Sequence, residues 1–239
     1  MSEPISEPIL EVKNIHTFLG QFHILEGVDV TVNRGEITVL LGRNGAGKTT
    51  TLRSIMGLAN VRSGDIRFNG REIRQMRPYK VARLGIGYVP EYRAIFRDLT
   101  VEENLKIAER EAGDLARRLD FIYSLFPDLQ RLRKLGGAQL SGGQQQMLAV
   151  ARALVAKNEL LLIDEPSEGL APVIIEQLMA AIRQLSDHTT VLLVEQNFHM
   201  ASHLADRFVI IEEGKSVLSG LMSDLAGNDE LISKYLGAA

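Results

Sequence analysis

The sequence predicts an α/β fold in which a mostly parallel sheet is interrupted by an inserted helical segment. Three observations carry that expectation. Short runs rich in Val, Ile and Leu, such as residues 39–41, 160–163 and 191–194, are bounded by charge or glycine, the pattern of strands buried on both faces. Stretches of helical periodicity lie between the runs, and this alternation argues for parallel crossovers. From about residue 92 to 157 the alternation stops, leaving amphipathic helix with scattered charge and no convincing strand.

In chain order, strands are expected near residues 10–14, 28–32, 37–41, 65–68, 86–89, 160–163, 190–194, 208–211 and 215–218. Helices are expected near 48–56, 78–83, 101–111, 115–126, 142–156, 173–185 and 198–204. Pro166 and Pro172 bracket a loop, fixing the turn after one strand and starting the next helix. A chain of 239 residues that is 45% hydrophobic can bury a substantial core without disulfides. With no cysteine at all, thiol nucleophiles and Cys-ligated metal sites are excluded. Lys and Arg total 27 against 30 Asp and Glu, so the summed charge gives no footprint for nucleic acid. No apolar stretch approaches the roughly 18–20 residues that a membrane-spanning helix needs. Residues 1–9 are acidic, with Ser-Glu-Pro-Ile at 2–5 and again at 6–9, where a signal peptide would need positive charge and an apolar run. They read as a flexible tail on a cytosolic chain.

Gly42-Arg43-Asn44-Gly45-Ala46-Gly47-Lys48-Thr49 fits the pattern G-x-x-x-x-G-K-[ST] between an expected strand and an expected helix. Glycines there let backbone N–H groups converge on phosphate oxygens, and the helix adds the positive end of its dipole. Lys48 offers a point charge to the β- and γ-phosphates of a nucleotide, and Thr49 offers a hydroxyl to Mg²⁺, with Thr50 extending the set. The bland alternative, a glycine-rich turn that binds nothing, does not account for the strand-loop-helix context. Far downstream, the apolar run 160–163 ends in Asp164 and Glu165. Ligands of open parallel sheets bind beyond the carboxyl ends of strands, so both acids are expected to face the glycine-rich loop rather than form a solvated terminus. Asp164 suits the Mg²⁺ shell through water, and Glu165 suits polarisation of an attacking water.

Leu140-Ser141-Gly142-Gly143-Gln144 opens the helix that runs toward the acidic strand. A Ser and two glycines at a helix start can be a plain N-cap or a second anion site. With this segment the sequence resembles the ATP-binding subunits of ABC transporters, and the resemblance runs essentially end to end. It implies a RecA-like nucleotide-binding core with an antiparallel β portion, formed by residues 10–91 and 158–239, and a helical subdomain at 92–157 carrying the signature. It also implies a head-to-tail dimer in which Ser141, Gly142, Gly143 and Gln144 meet ATP held by the opposite subunit.

Further segments resemble the ATPases of branched-chain amino-acid importers and their urea and amide relatives: Gly87-Tyr88-Val89-Pro90-Glu91, Leu99-Thr100-Val101-Glu102-Glu103-Asn104-Leu105, Asp164-Glu165-Pro166-Ser167-Glu168-Gly169-Leu170-Ala171-Pro172, Val194-Glu195-Gln196-Asn197 and Tyr235-Leu236-Gly237. In them Glu91 replaces the usual Mg²⁺-contacting glutamine, Gln196 the usual switch histidine, and Ala171 the usual aspartate. The resemblance implies an ATPase at the cytoplasmic face of the inner membrane, partnered by permease subunits, by a sibling ATPase or a second copy, and indirectly by a solute-binding protein. Glu91 and Gln196 would join Glu165 around the γ-phosphate, with Glu91 also near the metal. A lipopolysaccharide-type exporter ATPase is the alternative within the family. A P-loop kinase or GTPase switch leaves the signature unexplained and lacks an Asn-Lys-x-Asp guanine reader. For the adenine, Leu19 stands where the family carries a stacking aromatic; Phe18 or Phe22 can offer a ring instead, or can pack in the core.

His199 and His203 have metal-ligand spacing on an expected helix, but no third ligand lies near them in sequence and a solvated face is the expectation. Arg117, Arg118, Arg131, Arg133 and Lys134 are interleaved with acids such as Glu109 and Asp114, which also describes a solvated surface.

Overall fold

A computed structural model describes residues 7–237. Its strands are β1 (Pro8–Leu19), β2 (Phe22–Asn33), β3 (Ile37–Leu41), β4 (Asn60–Phe68), β5 (Arg71–Glu72), β6 (Ile86–Val89), β7 (Leu160–Asp164), β8 (Thr190–Val194), β9 (Arg207–Glu212) and β10 (Lys215–Leu221). Its helices are α1 (Lys48–Ile55), α2 (Pro78–Arg83), α3 (Val101–Lys106), α4 (Asp114–Leu125), α5 (Pro127–Arg131), α6 (Gly142–Val155), α7 (Pro172–Ser186), α8 (Phe198–Leu204), α9 (Met222–Ala226) and α10 (Asp229–Leu236). The strands form two sheets. One is antiparallel, in the order β2-β1-β4-β5; the other runs β10-β9-β3-β8-β7-β6 and is parallel except for the edge pair β10-β9.

Alternation of side chains across the six-stranded sheet divides the core into two layers. Val39, Leu41, Leu161, Ile163 and Leu193 pack with Leu148 of α6, Leu178 of α7 and Met200 of α8. Their neighbours Leu40, Leu162, Leu192 and Val194 pack on the other side with Val28 and Val30 of β2 and Leu52 of α1. The α/β class is as the sequence predicts, with every central strand apolar because it is covered on both faces.

Several boundaries differ from the expectation, each for a local reason. Pro8 and Ile9 are not tail: Pro8 pairs with Asn33, and Ile9 is buried and accepts the N–H of Asn69 at 2.9 Å, while residues 1–6 lie outside the described residues. β1 continues past Asn14, which sits at φ 46° in a register shift, so an apparent strand end is a bulge. β1 then turns at Gly20 (φ 62°) into β2, pairing Leu19 with Phe22. The helix expected over 101–111 stops at Lys106, because the N–H groups of Arg110 and Glu111 donate to the Asp114 carboxylate at 3.1 and 2.9 Å instead of continuing the helical ladder. α5, α9 and α10 and the two-residue β5 were not expected.

The segment between β6 and β7 carries α3 to α6. Its entry is pinned by Asn104, which is fully buried. The Asn104 side chain accepts the N–H of Phe96 at 2.9 Å and donates to the carbonyls of Phe96, Leu99 and Thr100 at 2.9, 3.1 and 3.0 Å. Asn104→Ala leaves the Phe96 N–H without its acceptor and takes one bond from each of three carbonyls that keep a backbone donor, so it is expected to destabilise the fold by about 1–3 kcal/mol, read as a lowered urea midpoint with an unchanged slope. A midpoint equal to that of the wild type would show that solvent replaces these bonds.

Candidate functional site

Three neighbouring strands of the parallel sheet, β3, β8 and β7, point their carboxyl ends to one edge. The loop at 42–47 leaves β3 with Gly42 at φ 147°, where a Cβ would meet the Ile211 carbonyl oxygen at 2.2 Å, so only glycine lets the loop hug β9. α1 begins at Lys48 without a side-chain cap, leaving its first N–H groups to whatever occupies the loop. Lys48 is 4% exposed. Its ammonium donates to the carbonyls of Gly42 and Arg43 at 3.0 and 3.2 Å and pairs with Glu165 Oε1 at 3.1 Å.

Asp164, the last residue of β7, is fully buried and accepts the Thr49 hydroxyl at 3.0 Å and the Tyr88 hydroxyl at 3.3 Å. Burial pushes its pKa up to about 6; Glu165 and Glu91 add to the rise, and the hydrogen bonds oppose it. The same burial, with the charge of Asp164, pushes the Tyr88 phenol up, so Tyr88 remains a donor. Glu165 stands at φ 42°, outside the ordinary region for a residue of its kind, and its N–H is fixed to the Val194 carbonyl at 2.9 Å. Glu91 is raised by desolvation first and then by Glu168 and Glu165, with Lys48 opposing. Thr49 Oγ1 and Asp164 form a hard-oxygen pair, and no group of three or more His, Cys, Asp or Glu is placed to hold a metal among the described residues. This donor set fits Mg²⁺, which completes its shell with phosphate and water rather than with a protein cage.

A cavity of about 420 Å³ gathers Leu19, Ile24, Asn44, Gly45, Gly47, Lys48, Thr49, Thr50, Glu91, Glu165 and Glu168. Gly42 sits behind it as an acceptor for Lys48, while Arg43 and Ala46 line an adjoining hollow with Tyr235. Of the three adenine candidates only Leu19 lines this cavity. The Phe18 ring is taken up by His23, stacked at 4.2 Å, and by the Arg62 guanidinium at 3.8 Å; Phe22 is 65% exposed, so neither ring packs in the core. Gln196 lies on the exposed loop after β8, outside the cavity lining. The segment 140–144 is also elsewhere: Ser141 is the exposed N-cap of α6, in a capping box with Gln144, and Gly142 lies beside Arg93. Gly143 has a packing reason of its own, since a Cβ there would meet Ile174 of α7 at 2.7 Å. His203 Nδ1 is engaged by the His199 carbonyl at 2.7 Å, in keeping with a helix surface.

Sequence reasoning gave no role to Tyr88, Ser167, Glu168 or Glu195. Tyr88 was findable in principle, being the polar residue of an apolar strand that neighbours β7. Glu195 was not, because its burial depends on which loop covers it.

A buried lysine in a glycine-rich loop, fronted by acids two strands away, places the chain among P-loop nucleotide-binding proteins. The ABC transporter family model matches residues 25–168. The chain is 41% identical over 232 residues to the high-affinity branched-chain amino acid transport ATP-binding protein BraG of Pseudomonas aeruginosa, across 96% of this chain and 100% of that protein. It is 38% identical over 221 residues to the probable branched-chain amino acid transport ATP-binding protein LivF of Archaeoglobus fulgidus, across 91% and 94%. A solved ATP-binding subunit of an ABC transporter is 31% identical with a TM-score of 0.81, covering 96% of both chains. A nucleotide-free ATP-binding cassette from an ABC transporter shares the fold at a TM-score of 0.84 and 22% identity, over 98% of this chain and 100% of that one. The chain therefore belongs to the ABC transporter family. No helix among the described residues is long and apolar enough to cross a membrane.

The raised pKa of Asp164 has a measurable consequence for stability. An acid whose folded pKa exceeds its unfolded value binds its proton more tightly when folded, so stability falls as pH rises from about 4 to 6 and stays at the lower level above. Asp164→Asn removes the buried charge, and at pH 7.5 the nucleotide-free variant is expected to be more stable by on the order of 1–3 kcal/mol. Thermal melts at pH 5 and 7.5 check this: the advantage of the variant should be smaller at pH 5, and an equal advantage at both would refute the electrostatic cause.

Proposed function

We propose that this chain binds and hydrolyses ATP as the motor subunit of an importer, with branched-chain amino acids as the cargo class. The observation that carries the ATPase reading is the meeting of Lys48, Thr49 and Glu165 in one cavity, with Asp164 buried behind it on the Thr49 hydroxyl. The loop and the first turn of α1 would cradle the phosphates, the Lys48 ammonium exchanging Glu165 for phosphate oxygen. Thr49 and Asp164 would hold Mg²⁺, which when bound neutralises phosphate charge and polarises the transferred group. Released from Lys48, Glu165 would orient the attacking water, with Glu91 and Gln196 at the γ-phosphate end. Leu19 would cover the adenine by apolar contact.

The cargo rests on the two relatives, both branched-chain amino acid transport ATP-binding proteins by name, and on the resemblance of the segments that hold Glu91 and Gln196. The separation of Ser141 and Gly143 from the chain's own cavity supports a head-to-tail dimer in which each signature completes the opposite site. Gln196 cannot gain charge as a histidine does, which supports pairing with a sibling ATPase of different turnover. Permease subunits at the cytoplasmic face of the inner membrane would anchor the pair.

Two variants test this reading. Glu165→Gln should keep ATP affinity within a few-fold and lose roughly 10²–10⁴ in hydrolysis by the assembled transporter; activity within a few-fold of wild type would remove Glu165 from the chemistry. Ser141→Arg should leave nucleotide affinity of the monomer unchanged, apart from a lost cap worth about 1 kcal/mol of stability, yet abolish ATP-dependent association and turnover. Weakened binding to the monomer would instead assign Ser141 to its own site.

A further inference from the structure

Glu195 is the first residue after β8 and is 1% exposed, yet no cation pairs with it among the described residues. Its charge is met by hydrogen-bond donors from two different loops. Oε1 accepts the N–H of Ser167 at 3.1 Å. Oε2 accepts the Ser167 hydroxyl at 3.0 Å and the N–H groups of Gln196 and Asn197 at 3.2 Å each. Ser167 lies two residues beyond Glu165, on the loop that leaves β7; Gln196 and Asn197 lie on the loop that leaves β8. One carboxylate thus ties together the two segments that flank Glu165 and Gln196. From this arrangement we infer that Glu195 is a positioning residue for ATP hydrolysis, locking the loop that carries Glu165 to the loop that carries Gln196 so that both approach the γ-phosphate in one fixed relation. The inference rests on the ATPase reading given above.

Chemistry favours a carboxylate here over its amide. Both oxygens of Glu195 must accept, because three of the four donors are backbone N–H groups that cannot reverse. A glutamine has one accepting oxygen. With that oxygen toward Gln196 and Asn197, its NH₂ faces the Ser167 N–H; turned round, the NH₂ faces Gln196 and Asn197. The first orientation keeps the β8 loop and the Ser167 hydroxyl but loses the Ser167 N–H; the second keeps Ser167 and loses the N–H groups of Gln196 and Asn197, so either one weakens the tie. Ser167 contributes the hydroxyl as well as the N–H, so Ser167→Ala removes one strand of the same tie without touching the phosphate loop.

The test compares wild type, Glu195→Gln, Ser167→Ala and the double variant, each assembled with the membrane subunits, by steady-state ATP hydrolysis and by binding of a non-hydrolysed ATP analogue. The inference expects Glu195→Gln to lower kcat by about 10- to 100-fold while KM and analogue affinity stay within about twofold. Ser167→Ala should lower kcat by a smaller factor and should add less than about twofold to the loss in Glu195→Gln, because the two act through one connection. Glu195→Asp, which keeps the charge on a shorter arm, should recover part of the rate. A kcat within twofold of wild type for Glu195→Gln, losses that multiply independently, or a fall in kcat matched by an equal rise in KM would overturn it. Should Glu195→Gln fail to assemble, Ser167→Ala decides alone: a fall in kcat at constant KM supports the tie, and an unchanged kcat overturns it. If wild type itself hydrolyses no ATP, the functional reading fails; if it does and the variants match it, only the role of Glu195 fails.

Discussion

Parallel pairing of β3, β8, β7 and β6 is the constraint on which the rest of the molecule depends. Leu40 and Asp164 are both level with Val194 across the sheet, so Leu41, the last residue of β3, and Glu195 and Glu165, the first beyond β8 and β7, stand at one height. Strands covered on both faces leave only their ends for polar groups. The charged groups of the cavity accordingly lie beyond strand ends: Lys48 past β3, Glu165 and Glu168 past β7, and Glu91 past β6, with Asp164 closing β7 behind them. A slip of one residue would turn each apolar side chain to the opposite layer, so the two core clusters hold the register and, through it, the site.

The edge so formed is rich in acid and poor in buried base. Burial first, and the charge of Glu165 after it, raise both Asp164 and Glu195, and Lys48 is the buried cation paired with Glu165. The acids are managed differently. Glu165 pairs with Lys48, whereas burial moves both Asp164 and Glu195 toward their neutral forms, opposed by two hydroxyl donors at Asp164 and by the Ser167 hydroxyl and three backbone N–H groups at Glu195. A polyanion that took Lys48 would free Glu165, and a divalent cation at Thr49 would meet the charge of Asp164, so the two ligands of an ATP site each relieve a strain already present.

Attachment of the helical segment follows the same economy. α6 packs on α7 where Gly143 admits Ile174, and Arg152 of α6 reaches back to the Ala94 carbonyl and lies 4.8 Å from the centre of the Phe96 ring. The loop that holds Glu91 is therefore gripped by the helix that Ser141 caps, a mechanical link between the edge of the cavity and the far end of the segment.

Local chemistry determined much of this protein. The glycine-rich loop, the acid pair after 160–163, the Ser-Gly-Gly helix start and the doubly buried strands are written in short windows, because steric freedom, capping and burial act over a few residues. Elements whose existence depends on distant partners were not legible: the length of β1 beyond the bulge at Asn14, the short helices α5, α9 and α10, and the early end of α3 at the Asp114 carboxylate. The same division runs through the site. Sequence brought forward Lys48, Thr49, Asp164 and Glu165, but it could not tell Leu19 from Phe18 and Phe22, since only packing occupies the Phe18 ring with His23 and Arg62. Nor could it give Glu195 a part, because a glutamate reads as surface until another loop closes over it. What the sequence determined is which groups are available for chemistry; what the tertiary structure alone decided is which of them are buried together, because burial and partner choice are properties of segments far apart in the chain.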